Sequence, residues 1–178
     1  MNSESERPIV GPISNIKMNS LERISLAVNR YTEVIVFVLG LSMALVVAAQ
    51  VFSRYALNHS LFWSEELARY LLVWLTFLGA AVAYRRGVHP GIDIVYAKLP
   101  PAAKRLTTAV VGLLSLTLFA VMIVFGVQFA HFVRLQISPA LGIPKWIIFA
   151  IIPVSGALLA VHGLAFLAAA LKGRDRDG

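Results

Sequence analysis

The sequence predicts an all-α membrane protein with four transmembrane helices. Hydrophobic residues make up 58% of the chain and charged residues only 14%, whereas soluble domains average roughly 45–50% and 25%. The mean hydropathy is +0.77. Four long apolar segments follow one another along the chain, and an apolar run of about 20 residues crosses a hydrocarbon core of about 30 Å. We therefore expect the chain to cross the bilayer four times.

The predicted membrane domain covers residues 20–172 and lies between two polar tails. Neither tail, 1–19 nor 173–178, shows hydrophobic periodicity. The first long apolar run begins only after Glu33, so the N-terminus is not predicted to be a signal peptide. The four spans are predicted at about 33–55, 63–85, 102–133 and 144–171.

Two short helices are predicted to lie at the membrane surface, because each apolar set recurs at helical spacing among polar residues. The first precedes span one and contains Leu21, Ile24, Val28 and Tyr31. The second lies between spans two and three and contains Ile92, Val95, Tyr96 and Leu99. Pro153 falls inside the fourth span and predicts a kink, because proline cannot donate a helical hydrogen bond.

Basic residues predict the orientation. Twelve of the sixteen Lys and Arg residues lie in the two tails, their adjoining segments and the middle loop, three lie in the alternate loops, and Arg69 lies within a span. Cytoplasmic loops carry the excess of Lys and Arg. Both termini and the middle loop are therefore predicted to be cytoplasmic. The net charge of +7 is attributed to these loops, and no nucleic-acid binding is expected.

The start of the second span holds the main candidate site. Ser64 is predicted to cap the helix, and the carboxylates of Glu65 and Glu66 suit its first turn. Arg69 is spaced to pair with either acid. Two interpretations remain open: an interfacial helix start with Arg69 reaching outward, or a contact with another subunit. The candidate interface comprises Gln50, Arg54, Trp63, Glu65, Glu66 and Arg69.

Gln50 and Arg69 are expected in the outer half of the membrane, with Arg54 above them and Gln128 near them, and these residues could form one polar cluster. A second candidate region is the loop at the inner surface, with Arg85, Arg86, His89 and Asp93.

Enzymatic and cofactor-binding functions have little support in the sequence. Nucleotide-binding, zinc-binding and nucleophile-elbow motifs are missing, and the chain has no cysteine. The depths expected for His131 and His162 do not allow them to share a haem iron. No cofactor or metal is predicted. A haem-bearing electron-transfer subunit and a small self-sufficient four-helix exporter remain the alternatives, although residues 34–53, 106–133 and 146–171 hold no acid.

Several segments together resemble the small membrane subunit, the DctQ-like or Q component, of tripartite ATP-independent periplasmic (TRAP) transporters. The resemblance covers about Leu21 to Leu171. It is carried by Trp63-Ser64-Glu65-Glu66-Leu67-Ala68-Arg69-Tyr70, Trp74-Leu75-Thr76-Phe77-Leu78-Gly79-Ala80-Ala81, Arg85-Arg86-Gly87-Val88-His89 with Asp93, and Ser138-Pro139-Ala140-Leu141-Gly142-Ile143-Pro144-Lys145-Trp146.

The resemblance implies a scaffold role in the bacterial inner membrane. In such systems a periplasmic solute-binding protein delivers an organic anion to a large membrane subunit, which holds the substrate and sodium sites. The small subunit braces the large one. The expected partners are therefore the large TRAP membrane subunit, the periplasmic solute-binding protein and membrane lipid.

Overall fold

The computed structural model describes residues 20–86 and 100–174, which form an all-helical bundle. Four segments are long and apolar enough to cross a membrane, so the predicted fold class is confirmed for this part of the chain. The last crossing segment consists of a short and a long helix. The helices are α1 (Ser20–Ala56), α2 (Phe62–Arg86), α3 (Pro101–Phe132), α4 (Lys145–Phe149) and α5 (Ile151–Arg174).

The segment before span one is part of α1. We predicted a separate surface helix there, but α1 runs unbroken for 37 residues, or about 55 Å. Its polar face is buried in the bundle at Ser25, Asn29 and Thr32. The apolar side chains of Leu21 and Ile24, which we expected to face the membrane surface, are exposed on the outside. Ser25 bonds His162 of α5, whereas Asn29 and Thr32 bond within α1, so this face packs inside the bundle and does not lie at the membrane surface. The second predicted surface helix lies outside the described residues.

The last span is interrupted at Ala150, between α4 and α5. Pro153 explains the position, because a residue without an N–H leaves the carbonyl four positions earlier, that of Phe149, without its helical partner. The hydrogen bonds resume when the Val154 N–H donates to the Ala150 carbonyl at 3.2 Å. The Ser155 hydroxyl donates to the Ile152 carbonyl at 3.0 Å and does not reach the freed group.

The helices pack as two pairs, α1 against α2 and α3 against α5, and α5 also contacts α1 and α2. The small apolar core lies where α2, α3 and α5 meet, around Ala81, Phe119 and Leu159. Tyr84 joins it through edge-to-face contacts with Phe119 at 5.3 Å and Phe166 at 5.8 Å. Most other large apolar side chains face outward, as expected for a bundle surrounded by lipid or by a membrane partner.

Two glycines allow α3 and α5 to approach closely. A Cβ on Gly126 of α3 would lie 2.8 Å from the Cδ and 2.9 Å from the backbone nitrogen of Pro153. A Cβ on Gly156 of α5 would lie 3.0 Å from the Cβ of Met122. Gly126 makes the tighter of the two contacts, and small residues of this kind let membrane helices pack closely.

The bundle has two distinct ends. The 57–61 and 133–144 connections lie at one, which we call the Glu66 end. The starts of α1 and α3 and the ends of α2 and α5 lie at the other, the Arg86 end. The predicted cytoplasmic side corresponds to the Arg86 end, and this orientation stays a prediction.

Candidate subunit interface and the polar ends of the bundle

Hydrogen bonds to the Glu66 carboxylate join α2 to the connection between α3 and α4. One carboxylate oxygen, Oε2, accepts hydrogen bonds from the backbone N–H groups of Ala140 at 2.7 Å and Leu141 at 3.1 Å. The other, Oε1, accepts a bond from the Tyr70 hydroxyl one turn further along α2. The carboxylate is therefore fully engaged within the chain. Sequence reasoning placed Glu66 among the interface candidates and did not find this internal role.

The connection that Glu66 binds is an ordered hairpin over residues 136–145. The Ser138 N–H donates to the Ile143 carbonyl at 2.9 Å, and the Lys145 N–H donates to the Gln136 carbonyl at 2.8 Å. Gly142 completes the turn with a φ of +67°, a conformation that residues with a Cβ rarely adopt. These bonds leave the Ala140 and Leu141 N–H groups available to the carboxylate.

Glu65 joins α1 to α2 at the same end. Its Oε1 accepts a hydrogen bond of 3.0 Å from the Gln50 side chain. The expected pairing of Arg69 with Glu65 or Glu66 is not formed; Glu65 bonds Gln50, and Glu66 bonds Tyr70 and the hairpin. Ser64, which we predicted to cap α2, instead lies inside the helix, where its hydroxyl donates to the Leu61 carbonyl at 2.7 Å.

Arg69 lies on the outward-facing side of α2, about 10 Å along the helix from Phe62. It makes no hydrogen bond or ion pair with any residue in 20–86 or 100–174. Arg54, at the end of α1, is likewise exposed and unpaired among these residues. The four residues of the predicted polar cluster therefore do not bond one another: Gln50 bonds Glu65 instead. Gln128 lines an apolar groove of about 630 Å³ on α3.

We call the exposed face of α2 the outward stripe. Its members recur every three or four residues and so lie along one side of the helix. Trp63 lies beside its first residue and is 43% exposed. The outward stripe consists of Phe62, Glu65, Arg69, Leu72, Thr76, Gly79 and Ala83; Gly79 is half-buried, and the other members are exposed, as is Ala80 beside it.

At the Arg86 end, polar side chains join α1 to α2. Arg86 forms an ion pair of 2.9 Å with Glu33. The same carboxylate oxygen accepts a hydrogen bond of 2.7 Å from Asn29. The Arg85 guanidinium lies over the ring of Phe166, 5.4 Å from its centroid. The other two residues predicted for this region, His89 and Asp93, lie outside the described residues.

The same end joins the first helix to the last. The Ser25 hydroxyl and Nδ1 of His162 are 2.8 Å apart, and both side chains are fully buried. Ser25, Asn29, Thr32 and Glu33 therefore form a polar face of α1 that contacts both α2 and α5. His131 belongs to the opposite end, where its ring contacts Arg134.

Residues 43–173 match the family model described as "Tripartite ATP-independent periplasmic transporters, DctQ component". The chain belongs to the DctQ family of TRAP transporter small permease subunits. It is thus a transport component of the bacterial inner membrane, with several spans, and not an enzyme.

Curated DctQ-family relatives support the assignment. The chain is 32% identical over 143 residues to the ectoine TRAP transporter small permease protein TeaB of Halomonas elongata, covering 79% of this chain and 72% of TeaB. It is 30% identical over 138 residues to the sialic acid TRAP transporter small permease protein SiaQ of Vibrio cholerae, covering 77% of this chain and 79% of SiaQ.

A third relative is a longer protein. The sialic acid TRAP transporter permease protein SiaT of Haemophilus influenzae is 33% identical over 114 residues, which are 64% of this chain but only 18% of SiaT. The DctQ-like sequence therefore occupies a small part of that permease.

Sequence reasoning missed the polar face of α1 in this DctQ-family subunit. A signal was present, because Ser25, Asn29, Thr32 and Glu33 are spaced to share one helical face. Sequence reasoning used Glu33 only to mark the start of the first span and considered His162 only as a candidate haem ligand.

We expect Ser25→Ala to lower the free energy of unfolding of the subunit by about 1–3 kcal/mol, because it leaves a buried imidazole nitrogen without its partner. Thermal unfolding of the purified protein in detergent measures the effect. Ser155→Ala is the matched control, because Ser155 is also fully buried but bonds only within its own helix. Equal losses in the two variants would contradict a stabilising contact between α1 and α5.

Proposed function

We propose that this subunit is a scaffold for the large membrane subunit of a TRAP transporter, in sodium-coupled, binding-protein-dependent uptake of an organic anion. Membership of the DctQ family supports a role in transport. The match to part of SiaT supports a permease partner, since a DctQ-like segment there belongs to a longer permease chain.

The observation that supports the scaffold role most directly is the exposed guanidinium of Arg69 on the outward stripe, which has no ion-pair partner among residues 20–86 and 100–174. A charged side chain at a membrane-facing position is unfavourable unless it reaches the interface or meets a protein partner. The two acids nearest to it along α2 are engaged elsewhere. A subunit that exposes such a group is suited to assembly with another membrane protein.

The remaining parts of the proposal concern the transported solute and the periplasmic binding protein. The relatives include proteins named for ectoine, sialic acid, isethionate and C4-dicarboxylates, most of which are organic anions. We extend this substrate class to the present system. In the predicted orientation the Glu66 end faces the periplasm, so a soluble binding protein approaches the bundle there.

Reconstitution of the three components tests the function. The large subunit and the binding protein from the same organism are placed in liposomes with or without this subunit, and uptake is measured for a radiolabelled anion that raises the melting temperature of the binding protein. Uptake is expected only when all three proteins and a sodium gradient are present.

Two results would contradict the proposal. One is equal uptake without this subunit, and the other is uptake by this subunit alone. Replacement of external sodium by potassium tests the coupling separately, because it leaves assembly unchanged.

A further inference from the structure

We propose that the outward stripe of α2 receives one transmembrane helix of the large permease subunit, which places a carboxylate against Arg69 and approaches most closely at Gly79. This inference rests on the proposed function and specifies where the two subunits meet. Its partner is defined by chemistry: an apolar membrane-spanning helix with one acidic side chain in the half of the membrane nearer the Glu66 end.

Gly79 provides the first argument. A Cβ on Gly40 or Gly112 would meet a leucine side chain at 3.8 Å, and one on Gly126, Gly156 or Gly163 would meet a neighbour at 3.2 Å or less. A Cβ on Gly79 would have no neighbour within 4 Å. Packing within the chain therefore does not require a glycine at this position. Small residues allow two membrane helices to approach closely, and Ala83 lies one turn further on.

Arg69 provides the second, independent argument. Its guanidinium is exposed on the same stripe and has no hydrogen bond or ion pair within the described part of the chain. A partner carboxylate would neutralise it and accept two parallel hydrogen bonds from N–H groups along one edge of the planar guanidinium. Glu65, the acid on the same stripe, bonds Gln50, so we place the complementary charge on the occupant of the stripe.

The length of the stripe indicates that its occupant is a membrane-spanning helix. Phe62 and Ala83 are 21 residues apart, which corresponds to about 31 Å along the helix, close to the thickness of a hydrocarbon core. A soluble protein would reach only one end of such a surface. The outward face of α3 is different, because large apolar side chains such as Leu113, Leu114 and Leu118 cover it and suit lipid.

Site-specific photo-crosslinking in the assembled complex tests the inference. A benzoylphenylalanine residue is placed at Leu72 or Thr76 on the stripe, and at Leu45 or Leu114 as exposed controls on α1 and α3. We expect crosslinks to the large subunit from the two stripe positions only. Mass spectrometry of the crosslinked peptide then identifies the partner helix and its acid.

The outcomes distinguish this inference from the proposed function. Crosslinks to the large subunit from the controls but not the stripe, or a co-purifying complex with no stripe crosslink, would overturn the interface while leaving the scaffold role intact. A stripe crosslink to a second copy of this subunit would also overturn it. Failure of the two subunits to co-purify at all counts against the proposed function itself.

Substitutions at the two key positions give a second readout. Arg69→Ala is expected to reduce the yield of co-purified large subunit by tenfold or more, whereas Arg30→Ala, which removes an exposed arginine of α1, leaves it unchanged. Gly79→Leu is expected to reduce co-purification without lowering the melting temperature of the isolated subunit. A lower melting temperature with normal co-purification would instead show that Gly79 serves only the internal fold.

Discussion

Gly126→Ala is expected to destabilise the isolated subunit by about 1–3 kcal/mol, a typical cost of overpacking a tight contact. The new Cβ would lie 2.9 Å from the backbone nitrogen of Pro153, so relief requires a movement of α3 relative to α5. A flexible side chain could yield at little cost, but a backbone atom next to a proline ring cannot. Thermal or denaturant unfolding in detergent measures the loss.

Gly79→Ala is the matched control for this prediction. Both substitutions replace a helical glycine by alanine and therefore gain the same helix propensity, about 1 kcal/mol in water. The new Cβ at Gly79 meets nothing in the isolated chain. The difference between the two variants isolates the contact with Pro153. If Gly126→Ala proved as stable as Gly79→Ala, the close approach of α3 and α5 would be refuted.

Glu66→Ala is expected to release the 136–145 hairpin from α2. The substitution removes the acceptor for the Ala140 and Leu141 N–H groups and for the Tyr70 hydroxyl. Hydrogen exchange at these two amides should accelerate on the order of tenfold, because their protection depends on a charge-assisted bond. Mass spectrometry of the hairpin peptide follows the exchange directly.

Two further variants sharpen this test. Glu66→Gln keeps one carbonyl oxygen as an acceptor and is expected to give an intermediate exchange rate. Glu65→Ala removes the neighbouring acid, whose partner is Gln50 on α1, and should leave exchange in the hairpin unchanged. Faster exchange in Glu65→Ala than in Glu66→Ala would reverse the roles that the structure gives to the two acids.

The fold class could be predicted from the sequence because it depends on local properties. Long apolar segments can satisfy their backbone groups in lipid only as helices or closed barrels, and these segments have the length of membrane helices. The interruption near Pro153 likewise follows from a missing N–H group. These features depend on neighbouring residues, so no knowledge of the tertiary arrangement is required.

The roles of individual polar residues could not be predicted in the same way. Glu66 and Arg69 are correctly spaced for a pair within α2, but Glu66 binds backbone groups 74 and 75 residues further along the chain. The preference for that site depends on the shape of a hairpin that the local sequence does not reveal. Similarly, Ser25 and Asn29 lie in the segment that the sequence predicts as a surface helix. Only the position of α5 shows that this face is buried.

The Ser25–His162 contact also has a consequence for the order in which the protein forms. Gln50 and Glu65 are only 15 residues apart in the chain, so the α1–α2 pair can join as soon as both helices are inserted. Ser25 and His162 are separated by 137 residues. During synthesis the polar face of the first helix therefore stays incompletely buried until the last helix inserts into the membrane and packs against it.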